Sequence, residues 1–289
     1  MTKSIKKYRF KPGLPLQVEV VDLKTLVAEH QSFLIIPHRT DFYHIFLFEN
    51  CTPHHVVDFD PVHITPYTVL FIDKNRVHQF DPSLQYKGKV LIFTDEFFCT
   101  TESDSTYLKS SLLFNPVAGN LLLEVEKEMF KNLAAIADAI NDENTRPRDH
   151  ASHQLLKNYL HNFLLLSERE MQKQNPVSIK KGPDLEHTLL FKDLLEKHFI
   201  RIKSVSAYTR MMHISEKKLR QSTTAILGKT PKELIDERTL LEARRLLVHE
   251  HKSIKEIGFF LGFEEPTNFI KYFRKHTAQI GRASCRERV

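Results

Sequence analysis

Residues 253–276 read Ser253-Ile254-Lys255-Glu256-Ile257-Gly258-Phe259-Phe260-Leu261-Gly262-Phe263-Glu264-Glu265-Pro266-Thr267-Asn268-Phe269-Ile270-Lys271-Tyr272-Phe273-Arg274-Lys275-His276. The pattern is a short helix with an apolar face, a tight three-residue turn and a second, basic helix. Gly262 supplies the positive φ that such a turn needs. In the second helix Phe269 and Phe273 point inward, and Ile257, Phe260 and Leu261 face them. Thr267, Asn268 and Lys271 then face out, and Arg274 and Lys275 lie where phosphates would pass.

The same unit occurs earlier in the chain. Ser204-Val205 through Met212-His213-Ile214 repeats Ser253-Ile254 through Leu261-Gly262-Phe263 at a constant offset of 49. Val205 pairs with Ile254, Tyr208 with Ile257, Met212 with Leu261 and Ile214 with Phe263. His213 takes the place of Gly262, and His enters the left-handed region more readily than most side chains. Ser215 is a natural cap for the following helix. Leu219 points to the core, which leaves Lys217, Lys218, Arg220 and Gln221 facing outward. A helix-turn-helix needs these parts: a packing helix, a sharp turn and a second helix with an apolar back and a polar front. The outward side chains suit base edges, with Arg or Lys matching guanine, Asn or Gln adenine, and Thr the thymine methyl. A long helix from Pro231 to Val248 separates the two units and could set them into successive major-groove segments about 34 Å apart. The competing reading is a basic helical bundle that binds protein.

Charge agrees with a nucleic-acid surface in the second part of the chain. Residues 1–184 hold 21 Lys and Arg against 23 Asp and Glu, a net −2, whereas residues 185–289 hold 21 against 13, a net +8. Alone, that excess is equally that of a solvated basic surface.

The stretch 253–276, with Leu227-Gly228-Lys229-Thr230-Pro231 and Leu241-Glu242-Ala243-Arg244-Arg245-Leu246-Leu247, resembles the AraC/XylS family of transcriptional regulators. The likeness covers about residues 186–279. It implies a sequence-specific regulator, expected to be an activator, that binds promoter or operator double-stranded DNA, works with RNA polymerase and answers to a small-molecule effector. It also implies a cupin-like N-terminal domain, whose opening Pro37-His38-Arg39-Thr40-Asp41-Phe42-Tyr43-His44 resembles. By that likeness the base- and phosphate-contacting set is Ser215, Lys217, Lys218, Arg220, Gln221, Thr267, Asn268, Lys271, Arg274 and Lys275. Two departures stand out. Thr223 sits where the family places an aromatic, so Ile226 and Leu227 are expected to fill that core. After His276 the family continues with a Thr-Pro step and a short helix, whereas residues 281–289 have no apolar stripe and are expected to be a non-native tail.

The first part of the chain reads differently. Short β-rich runs at Phe33–Ile36, Tyr43–Phe48, Val56–Phe59, Thr68–Ile72 and Lys89–Phe93 are broken by Pro, Asn, Asp and Gly, which suggests a small barrel or sandwich. A helix over 119–140 carries Leu122, Val125, Met129, Leu133, Ile136 and Ile140 as a seam, and a second follows over 152–171. Together they form a hairpin or a dimer contact, with a homodimer expected. The predicted organisation is thus α+β and multidomain: a cupin-like β-barrel with helical hairpin over 1–172, a linker over 173–184, and an all-α double helix-turn-helix over 185–280.

Sixteen histidines raise the question of a metal. Cupin enzymes use a His-X-His pair with a downstream Glu and a later His, but here His38 and His44 are six apart and His54 and His55 are adjacent. Neighbours on a strand point to opposite faces, so His54 and His55 cannot both enter one cavity. No metal or other cofactor is expected. A pocket lined by His38, Tyr43, His44, His55 or His78 is the candidate effector site. No nucleophile with a base, phosphate loop or carboxylate pair stands out, so no catalytic residue is assigned; the alternative is a cupin-type metal-dependent enzyme fused to a DNA-binding domain. Cys51, Cys99 and Cys285 are too scattered for a disulfide framework. No stretch approaches the roughly 20 apolar residues of a membrane span, and Met1–Phe10 lacks the apolar block of a secretion signal, so the cytoplasm is expected.

Overall fold

The structure is a computed structural model that describes residues 5–10, 16–50, 52–81, 86–111, 113–114, 122–174, 182–249 and 252–277. The expected tail over 281–289 and most of the expected linker lie outside the described residues. The chain divides into two compact units, residues 5–178 and 179–289.

Among its described residues the first unit holds ten strands: β1 (Lys6–Tyr8), β2 (Val18–Asp22), β3 (His38–Thr40), β4 (Tyr43–Phe48), β5 (Thr52–Val57), β6 (Asp60–Ile64), β7 (Thr68–Ile72), β8 (His78–Phe80), β9 (Gly88–Phe93) and β10 (Leu122–Glu124). Its helices are α1 (Leu23–Leu34), α2 (Asp95–Phe98), α3 (Glu102–Ser110), α4 (Lys127–Thr145) and α5 (Ser152–Gln174). The strands form two five-stranded sheets, ordered β1-β3-β8-β5-β6 and β10-β7-β4-β9-β2. Among the described residues neither closes on itself. The predicted barrel is therefore corrected to a sandwich of two open sheets, which evenly spaced short strands with polar turns fit equally well.

Strand β4 explains the layering. All six of its residues are buried, because its sheet is covered on both faces. Phe46 and Phe48 point toward the other sheet, into a core shared with Val57, Ile64 and Phe80. Tyr43, Ile45 and Leu47 point the opposite way, into a core shared with Phe130, Leu133, Leu156 and Phe163 of the α4–α5 hairpin. Sheet, sheet and helical hairpin thus stack in that order.

Two sequence expectations are corrected here. Residues Phe33 and Leu34 end helix α1, whose start is capped by Asp22 accepting from the Thr25 amide at 3.0 Å. The helix expected over 119–140 begins only at Lys127; Leu122–Glu124 pair with Thr68–Leu70 of β7 instead. Leu122 and Val125 are three apart, which fits a helical stripe but does not require one.

The second unit is helical: α6 (Pro183–His198), α7 (Val205–Met211), α8 (Glu216–Leu227), α9 (Pro231–His249), α10 (Ile254–Phe260) and α11 (Pro266–Thr277). One core runs through it, joining Phe191, Leu195, Tyr208 and Leu219 to Ile235, Leu246, Ile257, Leu261 and Phe269. Burying each large apolar side chain contributes about 1.5–3 kcal/mol, so the two repeats stabilise one another. Thr223 is fully buried, but Ile226 and Leu227 are not among the residues packed on this core. Tyr208 and Phe191, meeting edge to face at 5.3 Å between centroids, occupy the interior instead.

Candidate nucleic-acid interface

The repeat seen in the sequence recurs as the same hydrogen bonds. In the first turn the Ile214 amide donates to the Thr209 carbonyl at 3.1 Å, and in the second the Phe263 amide donates to the Gly258 carbonyl at 3.0 Å. Two residues before each of these donors, the Met212 amide donates to the Tyr208 carbonyl and the Leu261 amide to the Ile257 carbonyl. These pairs keep the offset of 49. Both turns are left-handed at the expected residue, with φ 54° at His213 and 79° at Gly262. Helices α7–α8 and α10–α11 are therefore two helix-turn-helix units of one design.

Each second helix presents a polar front. On α8, Ser215 caps the start by accepting from the Lys218 amide at 3.2 Å, and Leu219 is buried. Lys217, Arg220 and Gln221 are exposed. Lys218 departs from expectation: its Nζ is bound to Asp184 Oδ1 at 2.8 Å. The same carboxylate accepts from Ser222 at 2.8 Å, and these bonds, Lys218 foremost, hold the Asp184 carboxyl below its ordinary range. Lys218 thus ties α8 to α6, a pairing hidden from the sequence because Asp184 lies 34 residues upstream. On α11, Thr267, Asn268, Lys271, Arg274 and Lys275 are all exposed, while Phe269 is buried and Phe273 half-buried. Phe260, expected to face Phe269, is instead 42% exposed, with Lys252 Nζ over its ring at 4.7 Å.

Within the helical part, the two helix-turn-helix units are joined tightly. A Cβ on Gly262 would lie 2.3 Å from the Ile200 carbonyl oxygen, which belongs to the α6–α7 link of the first unit. Lys203 Nζ donates to that same carbonyl at 2.9 Å and sits 5.7 Å above the Phe263 ring. Burial there pushes the Lys203 ammonium down to about 8. On the other side, Arg238 stacks on Phe199 at 3.8 Å and bonds Glu196 and Glu242.

In the sheet domain, four of the five proposed effector residues meet. His78 lies 4.4 Å from His38, 4.9 Å from His44 and 5.4 Å from His55, between ring centroids. His78 Nδ1 and His55 Nε2 share a hydrogen bond of 3.3 Å, and His38 Nδ1 bonds the Ile36 carbonyl at 2.8 Å. Tyr43 is not part of the group. As the neighbour of His44 on a strand it takes the opposite face, stacked 4.9 Å from Phe93 against the helical side. Among the described residues, His44 Nδ1, His55 Nδ1 and His78 Nε2 have no protein hydrogen-bond partner, and no group of three or more His, Cys, Asp or Glu is placed to hold a metal ion. Burial drives the imidazoles of His44, His55 and His78 toward the neutral form, His55 to about 3.

A helix-turn-helix domain family matches residues 208–280. The activator RhaS of Escherichia coli O1:K1, named as an HTH-type transcriptional activator, is 25% identical over 254 residues, covering 82% of this chain and 83% of its own; RhaS of strain SMS-3-5 matches equally. Over most of its length the chain is thus similar to HTH-type transcriptional activators, and its residues 208–280 are those of a helix-turn-helix domain. Solved structures similar to this chain include ToxT of Vibrio cholerae O395, at 13% identity, 90% and 89% coverage and a TM-score of 0.41. Another is the AraC-like transcriptional activator CuxR, at 17% identity, 70% and 67% coverage and a TM-score of 0.31. The chain carries a helix-turn-helix domain, and no helix among its described residues is long and apolar enough to cross a membrane.

Proposed function

We propose that this protein is a sequence-specific transcriptional activator that reads two successive major-groove segments with α8 and α11. The observation that carries this reading is the fusion of two matched helix-turn-helix units through one core, with Gly262 against Ile200. Lys217, Arg220 and Gln221 on α8, and Thr267, Asn268 and Lys271 on α11, contact bases. Ser215, Arg274 and Lys275 contact phosphates. Lys218, held by Asp184, positions α8 against α6 instead. Activation is the activity named for the RhaS relatives, and RNA polymerase is the partner such an activator would engage here.

The sandwich is the cupin-like sensor, and its effector site is the layer of His38, His44, His55 and His78. A buried ring nitrogen without a partner costs about 1–3 kcal/mol, so a small polar molecule bonding several of them binds favourably. The protein is a homodimer through α5, whose exposed residues Leu155, Asn158, Asn162, Leu165 and Arg169 recur at alternating steps of three and four.

The test is selection of random DNA duplexes by the purified full chain, followed by footprinting. Two protected segments about one helical turn apart on one face of the duplex are expected. Retention of DNA without any enriched sequence would refute the reading.

A further inference from the structure

Three of the attachments of helix α11 bear on its orientation, beside the packing of Phe273 on the core. Near its start, Phe269 fills the hollow left by Gly258 on α10, where a Cβ would lie 3.1 Å from the Phe269 Cβ. The turn before it rests on the Ile200 carbonyl. The third attachment is polar. The Tyr272 hydroxyl donates to Asp236 Oδ1 at 2.8 Å. The same carboxylate accepts from Lys232 Nζ at 2.7 Å and faces His276 Nε2 at 3.8 Å. Asp236 is only 6% exposed and belongs to α9, the helix that joins the two repeats.

This third contact differs in kind from the other two. An apolar side chain in a pocket leaves a helix free to swing about that point, because dispersion and burial have no preferred direction. A hydrogen bond is directional. The Tyr272 ring, at 5.1 Å from Phe263 and 4.8 Å from His276 between centroids, is held on both sides, so its hydroxyl has little freedom of its own. The bond to Asp236 thus fixes the heading of α11 about the Phe269 pivot. Since α9 is packed against both repeats, it fixes that heading relative to α8 and not to α10 alone.

We infer that Asp236 and Tyr272 are positioning residues that set the spacing of the two DNA half-sites this protein accepts. The inference rests on the DNA-binding reading above. One base pair inserted between half-sites moves the second by about 3.4 Å and turns it by about 35°. Side chains that must stay within hydrogen-bond reach of base edges reject that shift only if the helices carrying them keep their relation. Without the Tyr272–Asp236 bond, α11 can follow the displaced half-site.

The experiment uses the full chain, its Tyr272→Phe variant and its Asp236→Asn variant. The duplexes carry the half-sites obtained by selection on random DNA, at the selected spacing, at one base pair more and one fewer, and singly. The single half-site belonging to α11 is the one whose base preference changes in Lys271→Ala. The unaltered protein should lose about tenfold or more in affinity at either altered spacing, the scale of one mismatched contact. In both variants the loss should shrink to less than about threefold, with binding to the single α11 half-site unchanged. Undiminished spacing discrimination in a folded variant would overturn the inference. So would loss of α11 half-site binding in both, which makes the bond a folding contact. If the unaltered protein selects no sequence at all, the DNA-binding reading has failed, and it fails visibly before any variant is compared.

Discussion

The α-carbon of Gly262 lies against the Ile200 carbonyl so closely that a Cβ would be 2.3 Å from the oxygen, with φ at 79°. Two costs would therefore fall on Gly262→Ala: about 1–2 kcal/mol for a side chain in the left-handed region, and displacement of the backbone joining α6 to α7. Gly228 is the internal control, since it has φ 66° but no atom within 4 Å of its Cβ position. Gly228→Ala should cost only the left-handed term of about 1–2 kcal/mol, and Gly262→Ala distinctly more. Hydrogen exchange at the amides of α9 reads both. Equal losses would mean that the units are not wedged together at this point.

Base and phosphate contacts should separate by mutation. Arg220→Ala and Lys271→Ala should each weaken binding to the selected site by about 1–3 kcal/mol and relax preference at one base pair. Arg274→Ala and Lys275→Ala should weaken all sequences alike and lower the slope of log affinity against log salt by about 1 each. Binding measured across a panel of single-base variants distinguishes the two classes. An Arg220→Ala protein with unaltered base preferences would remove Arg220 from the base-reading set.

The second unit was legible in the sequence almost to the residue because its signals are local. Ser215, Gly228, Pro231 and Gly262 punctuate stripes of helical period, and each element is closed by contacts a few residues away. In the first unit the decisive contacts are distant. Leu122–Glu124 become a strand because Thr68–Leu70 offer them an edge more than 50 residues upstream. The four histidines come from β3, β4, β5 and β8, and their meeting depends on one sheet folding over the other. Period-two alternation nevertheless separates His44 from Tyr43. For Lys218 and Tyr272 the sequence reveals the polar side chain but not its partner, since Asp184 and Asp236 are brought close only by helix packing.

The stripe on α5 gives a prediction about assembly. Leu155 and Leu165 are 39% and 46% exposed, one on each side of Asn158 and Asn162. An Asp at a solvent-facing position should alter monomer stability by no more than about 0.5 kcal/mol, whereas in a helix-to-helix seam it places two like charges in an apolar contact. Leu165→Asp should therefore convert a dimer to monomer in sedimentation while the monomer keeps its helical circular dichroism, and its melting temperature should lose the dependence on protein concentration that association confers. Affinity for a paired operator should fall roughly 10²–10⁴-fold as bivalence is lost. A variant that sediments as the unaltered protein does would exclude α5 as the seam.

The buried histidines make the stability of the sheet domain depend on pH with a definite sign. His44, His55 and His78 have pKa values lowered from the ordinary 6.5, by burial first and by the charge of the neighbouring His38 second. Above pH 6.5 both folded and unfolded chains hold these rings neutral, and they contribute no pH dependence. Below it the unfolded chain takes up protons that the folded domain refuses, so stability falls as pH falls, down to the folded value, which for His55 is about 3. Between pH 6.5 and 5 one such ring costs about 2 kcal/mol. Acidic groups whose pKa values are depressed, such as Asp104 beside Lys157, add their own loss only at lower pH. The urea midpoint of the sheet domain, followed by its own tyrosines and by exchange of β4 amides, should therefore drop between pH 7.5 and 5.0. Replacing His55 with Gln, which does not titrate, should remove about one ring's share of that drop while leaving the dependence of the helix-turn-helix unit unchanged. A midpoint that holds constant or rises on acidification would show that these rings accept protons in the folded domain, and that their surroundings are not the apolar layer formed by Phe46, Phe48 and Phe80.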